Sequence, residues 1–78
     1  MEGLTPGRMV HYVLDNGEHR AAVITKVLRS DIGLVNIQVF TDVSDIPSKL
    51  ATTYNPSVAL VEYSEVPKRD TWHWIEPA

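Results

Sequence analysis

The stretch Asp15-Asn16-Gly17-Glu18 restricts the fold of this chain more than any other, because it lies between two runs of β-forming residues. Asn-Gly supplies the positive φ that a tight hairpin turn demands. Before it comes Met9-Val10-His11-Tyr12-Val13-Leu14, which follows the turn dipeptide Pro6-Gly7. After it comes His19 to Leu28, with Val23, Thr25 and Val27 on one face and Ala22, Ile24 and Lys26 on the other. The two segments predict a hairpin.

Arg29-Ser30-Asp31-Ile32-Gly33 interrupts the pattern, and Leu34 to Thr41 restores it. Val35, Ile37 and Val39 alternate with Asn36 and Gln38, so this third strand buries one face and leaves the other wet or against a partner. From Asp42 to Pro56 the residues Asp42, Asp45, Pro47, Asn55 and Pro56 discourage a long strand. Pro47-Ser48-Lys49-Leu50-Ala51 fits one helical turn with Pro at its first position. A loop this long in a small domain is either functional or poorly ordered. Ser57 to Glu65 predicts a fourth strand, Pro67-Lys68-Arg69-Asp70 a turn, and Thr71 to Glu76 a last short strand. The expected fold is all-β, a small five-stranded antiparallel barrel or rolled sheet, whose closure would hide its apolar edges.

With 78 residues the expectation is one domain, 1–78. Cysteine is absent, which excludes disulfides and thiolate chemistry, so folding rests on apolar burial. At this size such burial is marginal, and a homo-oligomer is the natural expectation. Seven Lys and Arg against ten Asp and Glu give a net charge of -3. That balance argues against a nucleic-acid binder, which needs a basic excess to displace counterions from phosphates. Arg8, His19, Arg20, Lys26 and Arg29 could make a local positive patch, but scattered solubilising charge is the favoured reading of each. No apolar run reaches membrane-spanning length and Met1-Glu2-Gly3 does not open a signal peptide, so the chain is expected to be soluble and cytoplasmic, with no membrane partner.

Gly7-Arg8-Met9-Val10, "HRAAVITKV" and "VNIQVFTD" together resemble the small SH3-like barrels of the Tudor and KOW kind. In those folds an Arg-Ala-x-Val strand follows a first hairpin and the next strand ends in an aromatic residue and Asp. The likeness implies a fold and not a function. A second resemblance covers nearly the whole chain. "MVHYVL", "NGEHRAAVITKV", "VNIQVFTD", "SVALVEYSE" and "TWHWIE" resemble a family of small bacteriophage and prophage proteins that often end in Trp-His-Trp-Pro-Glu, although Ile75 stands here where Pro is common. That resemblance implies a viral protein acting in the cytoplasm of an infected bacterium.

Catalytic chemistry finds little support. Ser30, Ser44, Ser48, Ser57 and Ser64 lack nucleophile-elbow glycines, no Gly-rich phosphate loop is present, and Asp42 and Asp45 are explained by capping and solvation. The expectation is a protein that is not an enzyme and needs no cofactor. His11, His19 and His73 raise a metal question, yet none lies at the spacing of a local ligand pair, and His11 meets His73 only if the first and last strands pair. The spacing favours polar strand histidines, with no metal site.

In the last strand Trp72 and Trp74 share one face and His73 and Ile75 the other. Either both indoles fill the core or a subunit seam and His73 lies at the surface, or Ile75 turns inward and the pair forms a stacking platform with Tyr12, Tyr54 or Tyr63. Barrel filling favours the first.

Two functions compete. One is a non-enzymatic binding protein that takes a small, flat, anionic ligand by stacking on Tyr12, Trp72 or Trp74 and by charge from Arg8, Arg20 and Lys26. The phage resemblance implies a nucleotide-type immune signal of the host as that ligand, in a counter-defence role. The other is an interaction module that docks a host protein, a proline-rich or methylated peptide, or a virion component on the same aromatic surface and the 42–56 loop.

Overall fold

The computed structural model describes residues 1–42 and 55–75; the helical turn expected at Pro47–Ala51 lies outside them. Five strands form a closed barrel: β1 (Met9–Val13), β2 (His19–Arg29), β3 (Leu34–Val39), β4 (Ser57–Tyr63) and β5 (Thr71–His73). No helix occurs among the described residues. The all-β barrel expected from the sequence is therefore present.

One part of that expectation needs correcting. β1–β2, β2–β3, β3–β4 and β1–β5 pair antiparallel, but β4 and β5 run parallel, with Glu62 opposite Thr71 and Tyr63 opposite Trp72. The reason is parity: directions cannot alternate all the way round a ring with an odd number of strands. The parallel overlap is short, so residues 64–70 suffice to carry the chain back across the barrel end, tied by Ser64 N–H to the Trp72 carbonyl at 3.0 Å.

The β1–β2 turn follows its residues. Gly17 has φ 88°, its N–H donates to the Leu14 carbonyl at 2.9 Å, and the Asn16 side chain accepts from Glu18 N–H at 2.9 Å. Leu14 N–H in turn donates to the Glu18 carbonyl at 2.8 Å, leaving Asp15–Gly17 as a three-residue turn with a left-handed glycine third. This fixes the register: Val13 faces His19, Tyr12 faces Arg20 and His11 faces Ala21.

Bulges then bend the sheet shut. The β2–β3 register shifts between Ile24 and Lys26 and again between Val27 and Arg29. Simple alternation groups Val27 with Val23 and Thr25, but the first bulge brings it opposite buried Val35, beside Ala22 and Ile24, and leaves Lys26 exposed. In the β3–β4 pairing a further shift falls between Val35 and Ile37, opposite which Leu60 of β4 adopts φ 57° and donates its N–H to Asn36 Oδ1 at 3.0 Å.

The core collects the inward side chains of every strand: Val10, Tyr12 and Leu14; Ala22 and Ile24; Val35, Ile37 and Val39; Val61; and Trp72. Trp72 is 0% exposed, with its indole N–H donating to the Gly33 carbonyl at 2.7 Å. Gly33 has φ 72°, and a Cβ there would lie 2.7 Å from Tyr63 Cβ and 3.3 Å from the Trp72 ring. No larger residue fits over the indole.

Candidate functional site

On the outward side of the barrel, the hairpin and the barrel closure bring three histidines together. His11 on β1 and His73 on β5 are direct cross-strand partners. His19 begins β2, diagonal to His11 because Ala21 is the residue opposite it. Direct partners on one face have Cβ atoms about 5 Å apart and diagonal ones about 7–8 Å, within reach of imidazole side chains.

The rings meet edge to face, with centroids 5.6 Å apart for His11–His73, 4.7 Å for His19–His73 and 6.0 Å for His11–His19. One ring nitrogen from each residue can be chosen so that all three lie within 4.8 Å of one another. Tetrahedral zinc with N ligands at about 2.0–2.1 Å needs nitrogens about 3.3 Å apart, so the rings must draw together from their present spacing to hold an ion. His73 is 5% exposed, whereas His11 keeps partial access to solvent. Where the sequence reading made His73 a surface residue, the side chain is covered, since both faces of β5 are packed: Trp72 inward, the histidine rings outward.

The residues expected to bind a ligand lie elsewhere and apart. Trp72 and Tyr12 are core residues, 0% and 2% exposed, so neither offers a ring face to solvent. Trp74 packs edge-on against Trp72, centroids 5.0 Å apart, and the Arg8 guanidinium lies 5.3 Å over its ring. Ile75 is exposed, so the arrangement with Ile75 inward and an open Trp pair is not the one adopted. Arg20 ion-pairs with Glu18 at 2.5 Å and donates to the His19 carbonyl at 2.9 Å. Arg8 bonds through its main chain to Ile24, four residues further along β2 than Arg20, about 13 Å away. Arg8 and Trp74 thus share one corner, and Arg20 stands near the histidines.

A second feature is a cleft of about 690 Å³ beside the parallel seam, walled by residues 58–61 of β4 and closed by Tyr12, Asp15, Arg69 and Asp70. The Tyr12 hydroxyl donates to Asp70 Oδ1 at 3.1 Å. Burial pushes the Tyr12 phenol well above its ordinary value, and the negative charges of Asp70 and Asp15 add to the effect. The cleft carries both charge signs, and among the described residues the group able to hold a metal is the histidine cluster, which makes the histidines the better-defined chemical site.

A signal for half of that site was present in the sequence. The Asn16-Gly17 turn sets the register that makes His19 diagonal to His11, so this pair follows from the hairpin alone. His73 needed the barrel closure, which local spacing does not encode. No protein-family model matches this chain, and no match was found among curated proteins or solved structures. No helix among the described residues is long and apolar enough to cross a membrane.

Proposed function

We propose that this protein is a metal-dependent binding protein that holds one divalent transition-metal ion, zinc by preference, on His11, His19 and His73. The observation that carries the reading is the convergence of three ring nitrogens within 4.8 Å from three neighbouring strands. Neutral imidazole suits zinc, copper, nickel and iron, and zinc tolerates the distorted tetrahedral geometry that a twisted sheet imposes. The reading keeps the expectation of a binding protein for a small anionic ligand and moves its centre from the Trp72–Trp74 strand face to the histidines.

Titration calorimetry tests it. Zinc added to the protein should bind at one ion per chain. His11→Ala and His19→Ala should each weaken binding more than about 100-fold, beyond the 10–100-fold typical of an outer-shell partner. Trp74→Ala, just past β5 and packed against Trp72 rather than the histidines, should bind zinc as the unaltered chain does. Absence of heat, or equal binding by the histidine variants, overturns the proposal.

A further inference from the structure

We infer that the cleft beside the parallel seam binds an extended peptide segment, which adds as a strand to the open edge of β4 and sets a Lys or Arg side chain against Asp15 and Asp70. The inference does not depend on the metal reading.

The ring of strands is thinnest at this point. β4 runs over Ser57–Tyr63 and pairs with β3 through Ser57, Val58 and Val61, but among the described residues it meets β5 only at Glu62 and Tyr63. Asp70, just before β5, has φ 63° and gives its N–H to the Val13 carbonyl at 2.8 Å. The chain entering β5 is thereby held toward β1 and away from β4. A wedge opens between them, and this is the cleft of about 690 Å³. Its β4 wall, residues 58–61, has no strand beside it among the described residues. Such an edge is a row of main-chain donors and acceptors that another extended chain satisfies. Four residues at about 3.3 Å each give a slot about 13 Å long, enough for a short segment.

Charge selects the peptide. Asp15 and Asp70 line the cleft against the one guanidinium of Arg69. Asp15 Oδ1 is buried and accepts no hydrogen bond among the described residues, a costly state that a cationic donor relieves. Asp70 Oδ1 holds the Tyr12 hydroxyl at 3.1 Å, which fixes the far wall before any ligand arrives. Successive side chains of an added strand point to opposite faces, so a neighbour of the basic residue can cover Leu60, which is 68% exposed. A folded second copy suits the slot less well. Its β1, β2 and β3 already have strands on both sides, and its own β4 edge is flanked by Arg69 and Asp70.

Nuclear magnetic resonance on nitrogen-15-labelled protein tests the inference. The probe is a pool of acetylated, amidated heptapeptides with a fixed central Lys and randomised flanks. One control pool has Glu at the centre, and another keeps Lys but carries N-methyl groups on alternate backbone amides. The Lys pool should shift the amides of residues 58–61 saturably, and both controls should leave them in place. Asp15→Asn should weaken the response about tenfold, as expected for loss of a charge-assisted hydrogen bond. No movement of these amides at millimolar Lys pool overturns the inference. An equal response to the N-methylated pool also overturns it, since side chains alone would then be docking. The same shifts on concentrating the protein without peptide would assign the edge to a second copy and contradict it as well.

Discussion

Two single residues hold the barrel together in ways that mutation can measure. Gly33 sits in a left-handed conformation over the buried Trp72 indole, accepting its N–H, with Tyr63 Cβ where a side chain would go. Gly33→Ala adds a methyl to a filled space and strains the backbone, so urea denaturation should show a loss of about 2–4 kcal/mol. A change below about 0.5 kcal/mol would mean that the loop relaxes freely. Tyr12 is the second case. Its phenol is raised above the ordinary value of 10.0, first by burial and then by the neighbouring Asp70 and Asp15 charges. The folded state therefore keeps this proton where the unfolded chain has lost it. The contribution is fully present below pH 10 and declines as pH rises above it. Urea midpoints should fall between pH 9 and pH 11 for the natural chain, and less steeply for Tyr12→Phe. Parallel slopes for the two proteins would contradict this account.

At the scale of elements, β5 is only three residues long and is secured by two neighbours of opposite direction, β1 and β4. A bound ion would staple β5 to β1 and β2 through His73, His11 and His19. Opening of β5 then requires release of the metal. Hydrogen exchange should show the Thr71–His73 amides slowed about 100-fold at a free zinc concentration 100 times the dissociation constant, and slowed more than amides that open without disturbing the site. Unchanged exchange in β5 would contradict the staple.

The strands themselves were readable from sequence, and for identifiable reasons. Asn16-Gly17 set the first hairpin, and the Val35, Ile37, Val39 alternation marked β3 and its buried face. Three features were not readable in that way. The parallel β4–β5 pair follows from ring closure rather than from any residue. The bulge before Lys26 moves Val27 to the inner face, a shift that strict alternation cannot represent. The three histidines, at positions 11, 19 and 73, join only when the first and last strands pair, so no local motif announces them. Trp72 lies in the core and Trp74 packs on it, but β5 ends at His73, so the expected strand through Trp74 and Ile75 is not formed and the pair is not one strand face.

For the whole molecule, stability and metal occupancy are one linked equilibrium. The chain has no cysteines, and among the described residues ten form the continuous apolar core. An ion that binds only the folded barrel at 100 times its dissociation constant adds about 2.7 kcal/mol. For a domain of this size each kcal/mol raises the melting temperature by roughly 4–8 °C. Thermal melts should therefore show an increase of about 10–20 °C with zinc, reversed by a chelator. A melting temperature indifferent to zinc and to chelator would contradict the linkage.

The most direct test of the central claim is X-ray absorption at the zinc edge, on protein loaded with one equivalent of zinc and then desalted. The account predicts retained zinc with three imidazole nitrogens at about 2.0–2.1 Å and one further light-atom donor. Zinc lost on desalting, or a spectrum of oxygen donors without imidazole scattering, would contradict it.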